Sequence, residues 1–302
     1  MEYVSNYHTP VLLKESIEAL QIKPNGTYVD CTFGGGGHSQ LILKHLSKDG
    51  RLIAFDQDEH ALENTLDDDR LTLVHHNFKY LSQFLNYHKA SPADGILADL
   101  GISSAQINEA DRGFAHKYNA QLDMRMSKGI KLSAKDIINT YDTQSLINVF
   151  RNYGEVKSAF KAANAIVAAR KSGTIATTNE LNSALLNATN EFSLAKNLSR
   201  VYQSLRIEVN GEMDVLKDLL SSTAQNITKG GVLVVISYHS LEDRLVKQFI
   251  QNGSFSKNQT KDFYGNIDRP FEPLGKMIIP SKEEIEVNSR ARSAKMRIAI
   301  RN

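Results

Sequence analysis

Short apolar runs alternate with helix-period stretches over the first hundred residues of the chain. Thr27–Thr32, Arg51–Asp56, Leu71–His75 and Asp94–Asp99 have the length and apolar content of strands. Between them, Ser39–Ser47 spaces Leu41, Ile42, His45 and Leu46 along one helical side, and Glu59–Leu66 and Tyr80–Tyr87 also read as helices. Strands separated by helices pair in parallel through right-handed crossovers, so the pattern predicts a doubly wound α/β sheet. The rhythm stops at about Ile107. From there to Arg206 no strand is predicted, whereas Ser158–Arg170 places Ala159, Ala162, Ala163, Ile166 and Val167 at helical spacing. The α/β pattern then resumes. Glu212–Leu220 is amphipathic, Gly231–Ser237 is the most sheet-like run, and Ser240-Leu-Glu-Asp243 predicts a capping box opening the next helix. Gly275–Ile279 and Ala294–Ile300 are expected as two final strands, with Gln251–Pro273 a polar loop region. The predicted organisation is a discontinuous core, 1–106 and 207–302, interrupted by a helical insertion, 107–206.

Length and composition narrow the class. The chain has 302 residues, 41% of them apolar and 23% charged, which excludes disorder as its main state. The longest sheet-like apolar run, Val232–Ile236, is far short of the roughly 20 residues that span a bilayer. The first residues carry no basic segment followed by an apolar core, so export is not expected. A single cysteine, Cys31, cannot form an internal disulfide, and no Cys/His spacing fits a structural zinc site. A cytoplasmic location and no metal are the expectations. Basic and acidic residues nearly balance, 36 to 34, but after Glu286 the chain carries Arg290, Arg292, Lys295, Arg297 and Arg301 without an acid. This end is either an anion-seeking surface or a solvated strand.

Candidate chemistry gathers after the predicted strands, where open α/β sheets bind ligands. Phe33-Gly34-Gly35-Gly36-Gly37-His38-Ser39 follows the first strand and opens a helix, leaving the main chain approachable by a ligand. The dinucleotide fingerprint G-x-G-x-x-G fails in both registers, because Ser39 or Gln40 stands at the third glycine. Asp30-x-Thr32-x-Gly34-x-Gly36 instead resembles the acidic-then-glycine motif of class I S-adenosylmethionine methyltransferases, with Thr32 in place of the usual first glycine. Asp56 ends the second strand, where nucleotide-binding folds hold ribose hydroxyls, and Asp58 sits as the cap of the following helix. Phe78, after the third strand, either packs on an adenine face or belongs to the core. Asp99 ends the fourth strand, where carboxylate and carbonyl oxygens can orient a target amine; the other reading is a turn residue. Phe114 and Tyr238 are candidates to stack on a base. His239 is either a base or the holder of a loop; His38 divides the same way, with its place beside the glycines favouring ligand contact.

These residues sit in longer strings: His8-x-Pro10-Val-Leu-Leu-x-Glu15, Asp94-Gly-Ile-Leu-x-Asp-Leu-Gly-Ile-Ser-Ser104, Arg112-Gly-Phe114, Leu122-Asp-Met-Arg-Met126, Tyr153-Gly-Glu155, Leu205-Arg-Ile-x-Val-Asn210, Ser240-Leu-Glu-Asp-Arg244 and Arg290-Ala-Arg-Ser293. Together they resemble the bacterial ribosomal small subunit methyltransferase H family. The resemblance implies a class I methyltransferase core with an inserted helical domain that holds RNA. It also implies S-adenosylmethionine as cofactor, and N4-methylation of a cytosine in the decoding centre of 16S rRNA within the small ribosomal subunit. It allows a homodimer. The family's donor-binding positions fall on Gly36, Gly37, His38, Asp56, Phe78, Asp99 and Gln106, with Asp99 also the residue expected to orient the amine. Tyr238 and Ala115 depart from the Phe and Ser that many relatives carry. Two other readings use the same features: a non-catalytic RNA-binding assembly factor that retains a donor pocket, and a methyltransferase acting on a small molecule or a protein.

Overall fold

The computed structural model describes residues 10–103, 106, 110–188, 194–256 and 269–302. His8, Ser104 and Ile107, used in the motifs and boundary above, lie outside the described residues. The chain divides into two compact units, Met1–Gly101 with Met213–Asn302, and Ile102–Glu212.

The discontinuous unit is built on one sheet of β1 (Thr27–Asp30), β2 (Arg51–Asp56), β3 (Leu71–His75), β4 (Ala93–Asp99), β5 (Ile227–Ser237), β6 (Phe271–Pro273) and β7 (Lys295–Arg301). Their order is β3-β2-β1-β4-β5-β7-β6. The first five strands are parallel, and β7 is antiparallel to both its neighbours. This is the expected Rossmann-like sheet of class I methyltransferases. Strand order reverses between β1 and β4, which places the ligand crevice outside their carboxyl ends. The continuous apolar run of β5 follows from burial on both faces. Val232, Val234 and Ile236 join Leu52, Leu97 and Met296 on one face. Leu233 and Val235 join Ile53, Phe55 and Ile96 on the other.

Several local expectations are corrected. Gly275–Ile279 is not a strand; it contributes only a bridge from Ile278 to Met296. The edge strand is Phe271–Pro273, inside the stretch read as polar loop, because fully buried Phe271 packs against Phe249. A proline is tolerated there because an edge strand leaves its outer N–H positions unpaired. Glu59–Leu66 is a 3-10 helix, Glu59–Asn64, that buries only Ala61. The helix after the glycines runs Gly37–His45 and buries Leu43, whereas His45 is exposed and bonds back to the Leu41 carbonyl at 2.9 Å. The capping box of the helix Ser240–Asn252 lies one residue earlier than expected, on His239 and Glu242. Among the described residues no helix is long and apolar enough to cross a membrane.

The second unit is helical, with helices at Ala134–Thr140, Thr143–Gly154, Ala159–Ala169, Thr178–Leu185 and Leu194–Asn210. Capping boxes begin two of them, Ser133 with Asp136 and Thr177 with Glu180. Arg170 Nη1 donates to the Ile138 and Tyr141 carbonyls at 2.8 and 2.7 Å, satisfying the end of the helix Ala134–Thr140. Asn210 is the polar centre of this unit. Its Oδ1 accepts from the Met126 N–H, and its Nδ2 donates to the Met124 and Arg206 carbonyls, all at 2.8 Å. Two of the strings noted in the sequence, Leu122–Met126 and Leu205–Asn210, are thus bound together at Asn210. Gly113 and Gly154 allow close chain approach, since a Cβ would stand 2.2 Å from the Gln121 oxygen and 2.6 Å from the Arg200 oxygen respectively.

Asn210→Ala leaves the buried Met126 N–H and Met124 carbonyl without this partner. Denaturant unfolding is expected to show a loss of about 2–4 kcal/mol, with the Met126 amide losing protection from hydrogen exchange.

Candidate active site

Three acids end neighbouring strands at the crevice: Asp56 on β2, Asp30 on β1 and Asp99 on β4. Asp30 is fully buried, and its carboxylate is spent on the fold. It accepts from the Thr32 N–H at 3.0 Å and from the Ser39 hydroxyl at 2.7 Å, tying the glycine loop to the helix behind it. Thr32, the departure from the glycine pattern, has a use of its own: its Oγ1 accepts from the Asp99 N–H at 2.8 Å and joins the ends of β1 and β4. Sequence reasoning missed this bond, and the threonine hydroxyl at a position of close chain approach was its only signal.

The loop turns on two left-handed glycines, Gly34 with φ +52° and Gly36 with φ +75°. A Cβ on Gly36 would meet the buried Phe33 ring at 3.0 Å, so no other residue fits without displacement. Around the Cβ position of Gly34 the nearest atom is the Thr32 oxygen at 4.0 Å, leaving the main chain open on that side. Gly37 begins the helix. Asp56 Oδ2 accepts from the Gly34 N–H at 2.8 Å, and Oδ1 accepts from the Asp58 N–H at 2.9 Å. Each oxygen keeps a second lone pair for a ligand hydroxyl. Burial raises the Asp56 pKa to about 6, against the two N–H bonds, with the charges of Asp58 and Asp30 adding to the rise. Asp58 caps the following turn by accepting from the His60 N–H, as its position predicted.

Asp99 is shifted further than Asp56. Burial lifts its pKa to about 7, the Tyr238 hydroxyl opposes that rise, and Asp30 and Glu242 reinforce it. Even so, 21% of its side chain stays exposed, enough for a ligand to reach. Tyr238 donates to Oδ1 at 2.8 Å, and His38 Nδ1 lies 3.9 Å from Oδ2. His38 is 5% exposed, and its Nε2 has no hydrogen-bond partner among the described residues. Burial lowers its pKa, against the charge of Asp30 and a bond to the Val11 backbone. The ring is therefore held toward its neutral form beside the glycines.

The other candidates are placed as follows. Phe78 is half-buried in the short turn Phe78–Tyr80 and packs on the apolar cluster of one sheet face. Gln106 belongs to the helical unit; its Oε1 accepts from the Ser103 N–H at 3.0 Å, and its own N–H donates to Ser103 Oγ at 3.2 Å. Phe114 lies in the core of the same unit. His239 holds a loop: Nδ1 accepts from the Glu242 N–H at 3.4 Å while Glu242 Oε2 accepts from the N–H groups of Tyr238 and His239. Cys31 is buried, and burial followed by the charge of Asp30 pushes its thiol well up, which suits no nucleophile. Of the basic tail, Lys295 and Arg297 pair with Asp243, and Arg301 donates to the Ala224 and Pro270 carbonyls. Arg292 is exposed in the turn Ser289–Ser293.

An open glycine loop, an acid with lone pairs to spare one strand away and a buried imidazole nitrogen without a partner among the described residues form a site suited to a nucleoside with polar substituents. S-adenosylmethionine fits such a donor set.

Comparison with known proteins agrees. The chain is 51% identical over 299 residues to the ribosomal RNA small subunit methyltransferase H of Christiangramia forsetii, covering 99% of each chain. It is equally identical, over the same span and coverage, to the protein of that name from Flavobacterium johnsoniae. The Bacteroides fragilis protein of that name is 47% identical over 99% of this chain and 98% of its own. The sequence profile of the MraW methylase family matches residues 5–302. On a match of that extent, the chain belongs to the MraW methylase family.

Proposed function

We propose that the protein methylates the N4 amine of a cytosine in the decoding centre of 16S rRNA, within the small ribosomal subunit of the cytoplasm, using S-adenosylmethionine. The observation that carries this reading is Asp99. It is a carboxylate at the end of β4 with one oxygen held by Tyr238 and the other turned to the glycine-loop side, poised near neutral pH. When bound, S-adenosylmethionine supplies an electrophilic methyl carbon on a sulfonium sulfur. Asp56 would accept hydrogen bonds from the ribose hydroxyls, and Gly36, Gly37 and His38 would border the donor on the loop side. Phe78 would pack on the adenine face, and Gln106 is the remaining donor-binding position that the resemblance implies.

A cytosine amine is a weak nucleophile because its lone pair is delocalised into the ring. Asp99 Oδ2 accepts a hydrogen bond from this N–H, which orients the amine and lets its lone pair localise. As the N–C bond forms and the sulfonium S–C bond breaks, with S-adenosylhomocysteine as the leaving group, the same oxygen would receive the amine proton; a carboxylate with a pKa of about 7 is suited to take it up. The Leu100 carbonyl, next along the chain, serves as the second acceptor. Exposing a base from structured RNA costs a few kcal/mol, and the helical unit, with Arg292 on the other, supplies surface for holding the RNA.

Transfer of tritium from labelled S-adenosylmethionine to small subunits lacking the modification is expected, with the label mapping to one cytosine N4. Asp99→Ala should lower the rate at least about 100-fold; full transfer by this variant removes the assignment of Asp99. No transfer by the wild type would favour an assembly factor, and label in a protein or metabolite fraction would favour another substrate. Asp56→Ala should weaken donor binding in calorimetry, by about 10- to 100-fold for loss of charge-assisted bonds.

The raised pKa values add a pH dependence. Below about pH 6 both acids are protonated in the unliganded protein, whereas acceptance of ligand hydrogen bonds favours the ionised forms. Donor affinity should therefore fall with decreasing pH, by about tenfold per unit for each proton that must leave. Calorimetry in buffers of different ionisation enthalpy should register proton release on binding.

A further inference from the structure

Tyr238 lies at the end of β5 and is fixed on two sides. Its ring lies against Gly101, where a Cβ would come 3.2 Å from Cδ2, and the left-handed φ of +112° at Gly101 carries the chain past the ring. Its backbone N–H donates to Glu242 Oε2 at 2.8 Å, part of the box that opens the helix Ser240–Asn252. From this seat the phenol hydroxyl reaches Asp99 Oδ1 at 2.8 Å. The remaining oxygen, Oδ2, stands 3.9 Å from His38 Nδ1, beyond hydrogen-bond reach.

We propose that Tyr238 is a positioning residue, whose hydroxyl occupies one oxygen of Asp99 and stops the carboxylate from rotating, so that Oδ2 alone is presented to the incoming amine. The proposal rests on the assignment of Asp99 as amine acceptor. A free carboxylate turns about its Cβ–Cγ bond and offers two equivalent oxygens, only one of which can lie on the line between target and donor. A donor on Oδ1 makes them inequivalent, and a fixed acceptor geometry is what in-line transfer needs. The Asp99 N–H bond to Thr32 Oγ1 anchors the backbone from the opposite strand, so main chain and side chain are both held.

The charged and titratable groups around Asp99 are Asp30 from β1, Glu242 from the helix after β5, His38 from the helix after the glycines and Tyr238 itself. Burial and the two acids favour the protonated carboxyl; the Tyr238 bond works against them. Losing the hydroxyl must therefore move the Asp99 titration to higher pH.

The test is Tyr238→Phe, which keeps the ring on Gly101 and removes only the donor. In methyl transfer to small subunits, kcat should fall about tenfold for loss of one charge-assisted bond with KM for the subunit unchanged. The acidic limb of the kcat–pH profile should rise by about one unit. A structural defect alone would not move that limb. In parallel, carbon-13 NMR of the free protein follows the Asp99 carboxyl carbon, identified by its disappearance in Asp99→Asn, and the same upward displacement is expected. An unchanged carboxyl titration overturns the proposal whether or not subunits are methylated, as do a wild-type kcat and limb. If the wild type methylates nothing while the carboxyl titration moves as expected, the hold on Asp99 stands and the substrate assignment falls.

Discussion

Burying three carboxylates side by side at the end of a parallel sheet is costly, and the site takes its form from how each cost is met. Asp30 is satisfied from within, by the Thr32 N–H and hydroxyl and the Ser39 hydroxyl. Asp56 is satisfied on each oxygen by one backbone N–H, from Gly34 and Asp58. Asp99 has one oxygen engaged, by Tyr238. Commitment thus falls from β1 outward to its neighbours, and ligand-facing capacity rises with it. The glycines are part of the same arrangement. Gly34 reaches Asp56 only because the chain takes a left-handed turn there, so loop conformation and carboxylate position fix each other.

The strings that identify the family divide into two kinds. Some border the crevice, as the glycine loop and the end of β4 do. Others hold the fold at points remote in sequence from it. Leu122–Met126 is locked by Asn210 from the string Leu205–Asn210, and Asp123 grips Arg125 through paired bonds at 2.7 and 2.8 Å. Gly113 and Gly154 are demanded by close chain approach. Asp243, within Ser240–Arg244, anchors Arg297 of β7. A residue pattern found across a family therefore identifies a fold more directly than it identifies a site.

The central strands were legible because they are buried on both faces and read as unbroken apolar runs; β2 and β4 lie where the pattern put them to within a residue, and β3, of which only Val74 is buried, does so on its Leu-Thr-Leu-Val run. The edge was not. A three-residue strand ending in proline carries no periodicity, and the apolar segment Gly275–Ile279 nearby was the stronger decoy. The His239 cap was missed for a similar reason: Ser240 has the commoner capping chemistry, and only tertiary geometry shows the imidazole taking that place. At the site, the acids were legible from their position after strands. Their ranking was not, because it depends on which N–H and O–H groups converge from other strands.

Two positions where the chain departs from expected patterns meet at one residue. Thr32 stands where the class I methyltransferase motif has a glycine, and Tyr238 where the family resemblance leads to an expectation of phenylalanine. Each adds a hydroxyl that reaches Asp99: the Thr32 hydroxyl accepts from its N–H while donating to Asp30, and the Tyr238 hydroxyl donates to its carboxylate. Taken singly, a threonine in a glycine motif reads as a weakened motif and a tyrosine as a neutral exchange for phenylalanine. Taken together they restrain backbone and side chain of the same acid from β1 and from β5, the strands on either side of β4. A glycine and a phenylalanine would leave Asp99 placed by strand geometry alone. The chain has instead tightened the acceptor with two hydrogen bonds, and it keeps a buried carboxyl ionisable near neutral pH by donating to its charged form.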